Sequence, residues 1–340
     1  MNFLPQKNAG SYLMPAEWEP HQGTWLAWPH NLDHWPGKFE KIPPVYAKIV
    51  NALLEGGEEV FICVNDEEME RSARKILPQK VKFFQIPTNA SWSRDHGPIF
   101  VRDKTGKLII EDWIFNAWGD QWPHDKDDIV PQKIAEQLKL PLVQPGIVLE
   151  GGSIDVNGKG LLLTTTQCLL NKNRNPHLTQ KQIEKYLRDY LGAEKILWLE
   201  EGIIGDDTSG HIDDIARFTD EKTIVAAVEE NPKDENYKIL KKNFEDLKNM
   251  TDQNGKPFKI VPIPMPEPVI CEGQRLPASY INFYIANKAV LVPIFRGKND
   301  ARALKILAEL FLTRKIIGID CVDLVWGLGT IHCLTQQQPA

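Results

Sequence analysis

The sequence predicts an α/β chain in which helices and short strands alternate. Three observations carry that prediction. Residues 179–192 (TQKQIEKYLRDYLG) place Ile183, Tyr186, Leu187, Tyr190 and Leu191 at i, i+3, i+4, i+7 and i+8, one face of a helix. Short runs rich in β-branched or aromatic residues lie between such patterns. Dense polar clusters recur after the helices at a nearly constant interval. With 340 residues, 42% of them hydrophobic and 25% charged, the chain can bury a full core.

In order along the chain, a helix is expected over about 40–55, ended by Gly56-Gly57, then strands over 59–64 and 81–86 and a helix over 132–140. A strand over 161–166 leads to the helix 179–192, where Thr179 and Gln182 have the spacing of a capping box. A strand over 223–228 precedes a helix over 235–250, built on Tyr237, Leu240, Phe244 and Leu247. A strand over 258–261 follows. The Pro-rich piece 261–268 (VPIPMPEP) reads as a rigid loop rather than a linker. The last pair is a strand over 289–295 and a helix over 300–312 that Asn299 could cap.

The polar clusters are Trp92-Ser93-Arg94-Asp95, Glu150-Gly151-Gly152, Gly210-His211-Ile212-Asp213, Arg275 with its neighbours, and residues 327–333. Asp95 to Glu150 is 55 residues, Glu150 to His211 is 61, and His211 to Cys333 is 122, twice 61. Five units of about 68 residues would fit such a rhythm, with equivalent loops converging on one place.

Composition excludes several function classes. Net charge is −6 with no basic block, which disfavours a nucleic-acid footprint. No stretch reaches the roughly 18–20 apolar residues of a membrane span, and the first twenty residues lack a signal-peptide pattern, so a cytoplasmic protein is expected. Cys63, Cys168, Cys271, Cys321 and Cys333 contain no CxxC pair and suggest neither a disulfide framework nor a thiolate zinc site.

Cys333 follows a glycine-rich turn, where backbone N–H groups can approach a reacting sulfur. It could equally be an inert core thiol, and His332 could simply pack. Residues 206–214 place Asp206, Asp207, Asp213 and Asp214 around His211. A metal site, a solvated acidic loop, and an acid/base histidine beside a cation-gripping carboxylate all remain open for them. If the segment is a strand, Asp213 and His211 share a side. A metal site would lack a second histidine at a usual ligand interval and any HExxH pattern. Taken together, Asp95, Glu150 and Asp213 with Trp92, His211 and Cys333 are what a planar cation would require. A guanidinium has five donors in one plane, best met by bidentate carboxylates and an aromatic face.

The chain also resembles the guanidino-group-modifying amidinotransferase/deiminase (pentein) family, and within it the agmatine deiminases. The resemblance is carried by Met14-Pro15-Ala16-Glu17-Trp18-Glu19-Pro20, Thr24-Trp25, the run from Trp92 to Pro98, Glu150-Gly151-Gly152, Gly210-His211-Ile212-Asp213, the run from Arg275 to Tyr280, and the run from Gly329 to Pro339. It implies a five-bladed α/β propeller with a pseudo-fivefold repeat, a single catalytic domain over 1–340, and hydrolysis of agmatine to N-carbamoylputrescine and ammonia without metal or cofactor. It implies Cys333 as nucleophile, His211 as general acid/base and Glu150 as its carboxylate partner. Asp95 and Asp213 would grip the guanidinium and Trp92 would line the pocket, while Asp207 could serve the distal amine. Leu328 and Thr330 stand where many agmatine deiminases have an unbroken glycine run. The expected partner is a small cationic guanidine, with no nucleic acid or membrane, and a homo-oligomer is left open. The rivals are a deiminase of peptidyl-arginine or another guanidine, and a non-catalytic binder that uses the ten tryptophans.

Overall fold

The computed structural model describes residues 12–340; residues 1–11, on which part of the signal-peptide reading falls, lie outside the described residues. The helices form close to where the periodicity predicts, at Ile42–Glu55, Val130–Leu138, Gln180–Leu191, Asn236–Asn249 and Asp300–Leu310. The helix Gln180–Leu191 carries both halves of its capping box, Thr179 and Gln182, and buries Ile183, Leu187, Tyr190 and Leu191. A cap of this kind stabilises by about 1 kcal/mol. The helix stops at Gly192, whose φ of 72° is left-handed and whose missing Cβ would stand 2.5 Å from the Tyr12 carbonyl. Only glycine meets both conditions without strain.

Two local expectations are corrected. Asn299 makes no side-chain cap on the last helix, because its Nδ2 donates instead to the Met265 carbonyl. The Pro-rich piece is partly a strand, Lys259–Pro264, pairing in parallel with Thr223–Val228. It lies at the edge of its sheet, where a proline forfeits no ladder hydrogen bond.

The described strands form six sheets, one of them a two-stranded hairpin, Ile270–Cys271 with Gln274–Arg275. The other five repeat one local plan: a strand pairs antiparallel on one side and parallel on the other, and a helix bridges the parallel pair. In one of them Tyr284–Ile285 runs antiparallel to Ala289–Ile294, which runs parallel to Lys315–Asp320 after the helix Asp300–Leu310. Another joins distant parts of the chain: Gln336–Pro339 pairs antiparallel with His21–Ala27, which pairs parallel with Glu59–Val64. Three apolar clusters form the core. The largest contains Trp35, Trp92, Cys333 and Leu334, so the polar clusters of the sequence rest directly on it. No helix of the described residues is long and apolar enough to cross a membrane.

Candidate active site

A cavity of about 170 Å³ opens where the polar clusters meet, walled by Trp92, Trp118, Trp122 and Trp326 and by the carboxylates of Asp33, Asp95 and Asp207. Cys333 reaches it beside Gly327, Leu328 and Gly329. Among the described residues none of its lining side chains is Lys or Arg. His34 also lines it, but burial drops that imidazole to about 4, so it brings no positive charge at neutral pH. Leu328 adopts the left-handed conformation (φ 66°) where a glycine would sit without strain.

Cys333 lies in the one-turn helix Ile331–Leu334 and is 7% exposed. Asn282 holds this turn: its Oδ1 accepts from the Thr330 hydroxyl at 2.6 Å and the His332 amide at 3.0 Å, and its Nδ2 faces the Cys333 sulfur at 3.2 Å. Burial, then Asp213, Asp214 and Asp95, push the Cys333 thiol well above the ordinary cysteine range. In the free site it is therefore a thiol.

Asp95 sits in the short helix Ser93–His96. Its Oδ2 accepts from the Trp118 indole at 3.0 Å, and its Oδ1 accepts from the Gly152 amide at 2.9 Å and lies 3.7 Å from His211 Nδ1. Gly152 permits this approach, since a Cβ there would stand 2.5 Å from His211 Nδ1 and 2.7 Å from Asp95 Oδ1. Burial raises the Asp95 carboxyl; His211 opposes that, while Asp213 and Glu150 add to it.

Burial alone would depress His211, but Asp95 and its other anionic neighbours outweigh it and hold the imidazole well above its ordinary value. Its Nε2 is buried without a hydrogen-bond partner, as is Oε2 of Glu150. Glu150 and Cys168 each bring a polar atom within 4.8 Å of His211, the grouping with metal-ligand character among the described residues. The Arg174 guanidinium, 2.6 Å from Glu150 Oε1, occupies the position a cation would take on that oxygen.

Asp213 comes from a 3-10 turn, Ile212–Asp214, and not from the strand that would have put it on the same side as His211. Its Oδ2 contacts His332 Nδ1 at 2.7 Å, Asn282 Nδ2 at 3.2 Å and Cys333 Sγ at 4.0 Å. Asp206 behaves as turn chemistry, accepting from Thr208 and Gly210 within its own loop. Asp207 points into the cavity, and burial together with Asp206 pushes its carboxyl up to about 7.

Cys333, Asp95, Trp92 and Asp207 thus share one cavity, with His211 against Asp95, Asp213 behind the sulfur and Glu150 beside His211. Four further groups surround them without having been singled out for chemistry in the sequence: Asn282, Arg174, Cys168 and Glu17. Asn282 left a readable sign, one amide inside the apolar run Tyr280-Ile281-Asn282-Phe283-Tyr284-Ile285. Glu17 lies within a segment that carries the resemblance.

A family model described as Porphyromonas-type peptidyl-arginine deiminase matches residues 13–339. A Legionella pneumophila protein provisionally named agmatine deiminase is 38% identical, over 100% of this chain and 98% of its own length. Among solved structures, the agmatine deiminase of Enterococcus faecalis, described as catalysing its reaction, is 32% identical with a TM-score of 0.94, covering 100% of this chain and 99% of that one. An agmatine deiminase of C. jejuni with a Cys-to-Ser substitution and substrate bound is 34% identical with a TM-score of 0.90, over 100% and 99% of the two chains.

Proposed function

The chain belongs to the Porphyromonas-type peptidyl-arginine deiminase family, with its mixed α/β pentein fold, and on that premise we propose that it hydrolyses agmatine to N-carbamoylputrescine and ammonia. One observation carries the choice of substrate class: a small tryptophan-walled cavity with three carboxylates and no Lys or Arg side chain among the described residues, into which a cysteine opens. Such a wall suits an extended dication and repels the α-carboxylate of free arginine. At about 170 Å³ it falls below the roughly 300–1,000 Å³ of ordinary ligand pockets, which disfavours a peptide chain.

Cys333 is the nucleophile in this mechanism, and the substrate itself helps to ionise it. Burial, with Asp213, Asp214 and Asp95, holds the thiol protonated; a guanidinium seated between Asp95 and Asp213 supplies opposing charge, and the thiol releases its proton to solvent. The thiolate adds to the guanidinium carbon to form a tetrahedral adduct. His211, already imidazolium beside Asp95, donates its proton to one nitrogen, which leaves as ammonia and gives a thiouronium on Cys333. Neutral His211 then takes a proton from water as the water attacks. Collapse breaks the C–S bond, and the hydroxyl proton of the adduct passes to the departing sulfur, leaving the neutral urea product and the Cys333 thiol of the free site. Glu150 is read as the carboxylate partner that holds His211, supported by their unpartnered Nε2 and Oε2. Trp92 lines the pocket, and Asp207 takes the distal amine. The Cys-to-Ser form with substrate bound in the C. jejuni relative supports the cysteine as the reacting group.

We also read the five repeating sheets as blades of a five-bladed propeller and residues 1–340 as one catalytic domain, supported by the repeated antiparallel-then-parallel plan and by site residues drawn from Asp95 to Cys333. A reducing, cytoplasmic setting suits a free-thiol nucleophile. The deciding experiment is ammonia release from agmatine, arginine and a peptidyl-arginine, measured side by side. Agmatine should exceed both others by orders of magnitude. Preference for the peptide would transfer the assignment to the activity in the family model's description.

A further inference from the structure

His332, next to the nucleophile in sequence, has an unusual set of partners. Its Nδ1 lies 2.7 Å from Asp213 Oδ2 and its Nε2 lies 2.8 Å from Glu17 Oε2, with all three side chains at most 6% exposed. A carboxylate can only accept hydrogen bonds, so an imidazole between two of them satisfies both contacts only by carrying hydrogen on both nitrogens. The alternative, a protonated carboxylic acid on either side, is opposed by the surroundings. Burial would raise Glu17, but Arg217, His332 and Arg94 outweigh it and hold the carboxyl well below the usual range. Burial would likewise raise Asp213, but its hydrogen bond to His332 and the positive charges of His332, His211 and Arg217 hold it low.

The consequence appears on the other oxygen of Asp213. Its Oδ2 is taken by His332 and Asn282, whereas Oδ1 is buried with no hydrogen-bond partner at all. Orphaned buried acceptors are costly and uncommon in native folds. One carboxylate oxygen, the one 4.0 Å from the Cys333 sulfur, is therefore fixed, and the other is left bare.

We propose that His332 is a positioning residue that clamps Asp213 by donating from both ring nitrogens, so that Oδ1 remains as the aimed acceptor for a guanidinium N–H. Glu17 anchors the far side of the clamp. It is fixed in turn by Arg217 at 2.9 Å, Arg94 at 3.3 Å and the Ile285 amide at 2.8 Å. The backbone carbonyl of His332 meets Arg94 Nε at 3.4 Å, so the clamp and the nucleophile's turn are held by one set of groups. The role in binding rests on the deiminase reading, whereas the doubly donating imidazole does not.

The test uses the full chain with His332→Gln and with the charge-balanced pair His332→Gln/Glu17→Gln, which removes one buried cation and one buried anion together. The charged and titratable groups facing this position are Glu17, Asp213, Arg94, Arg217 and the Cys333 thiol, and of these Asp213 is the one released to titrate. In the free wild-type enzyme Asp213 stays ionised to low pH; without the imidazolium its carboxyl rises. The acidic limb of kcat/KM should therefore move to higher pH, with kcat/KM down about 10²-fold, mainly through KM. Should the single variant fail to fold, the pair gives the same readout. A lower Tm with unchanged KM and an unmoved acidic limb would make His332 a packing residue and overturn the proposal. Independently of turnover, ¹⁵N spectra of histidine-labelled wild type at neutral pH should show an imidazole protonated on both nitrogens that vanishes in the pair. A neutral tautomer at this position would overturn the clamp. If that signal is present but wild type releases no ammonia from agmatine, the clamp stands and the functional reading fails.

Discussion

Two buried cysteine–histidine pairs flank this site, and their surroundings are arranged in opposite ways. In the pair Cys333/His332 the sulfur opens to the cavity, while the imidazole is bound at both nitrogens by carboxylates. In the pair Cys168/His211 the sulfur is fully enclosed, its thiol pushed up by burial, while the imidazole keeps one nitrogen unpartnered and the other facing Asp95. Each pair thus contributes the member the other has spent. Residue type does not assign these roles; access and hydrogen-bond valence do.

The largest effects are expected at the sulfurs. Cys333→Ser should fold with an unchanged Tm and lose about 10⁴-fold or more in turnover, since a hydroxyl at its ordinary pKa is a poor nucleophile. Rapid quenching of wild type should place the covalent adduct on the peptide containing Cys333, and an adduct on Cys168 would invert the two pairs. His211→Ala comes next, with kcat down about 10²–10⁴-fold and KM changed far less. Equal losses in kcat and substrate affinity would point to a binding role instead.

A smaller effect is expected at the cavity wall. The Asp207 carboxyl is raised to about 7, so it is increasingly neutral below that pH and anionic above it. Attraction for a distal amine is then lost as pH falls through about 7, and wild-type KM should be lower at pH 8 than at pH 6. Asp207→Asn should raise KM at pH 8 about tenfold and flatten that slope; an unaltered slope would remove Asp207 from the binding site. The smallest change is expected at Cys168→Ser, within about tenfold of wild-type turnover, because this sulfur lies within 4.8 Å of the His211 ring but does not line the cavity. Complete inactivation with an intact fold would give it a chemical role.

What the sequence disclosed follows from the range of the interactions. The helix Gln180–Leu191 was legible to within a residue because its period and capping box are local. Asp95, His211, Asp213 and Cys333 stand out as candidates because each lies in a polar cluster with turn-forming neighbours. The partners that set their states do not. Glu17 meets His332 across 315 positions, Asn282 meets Cys333 across 51, and no periodicity encodes such pairings. Arg174 escaped notice although it lies 24 residues after the Glu150 it pairs with, because a lone arginine in a polar loop reads as solvated surface. The Pro-rich segment misled for a related reason: proline punctuates local structure, but tolerance at a sheet edge is decided by which strand lies beside it.

The sheet joining His21–Ala27 to Gln336–Pro339 also has a consequence in time. The first of these strands leaves the ribosome some 310 residues before its antiparallel neighbour. At about 5–20 residues per second this is a wait of roughly 15–60 s. Throughout it, an edge containing Thr24, Trp25 and Leu26 has open backbone groups, the kind of template on which nascent chains associate. The cysteine is made only three residues before the strand that covers that edge. A chain halted early would therefore expose this edge and lack Cys333, the nucleophile of the proposed mechanism, so that covering the edge and the proposed reaction wait on the same last residues.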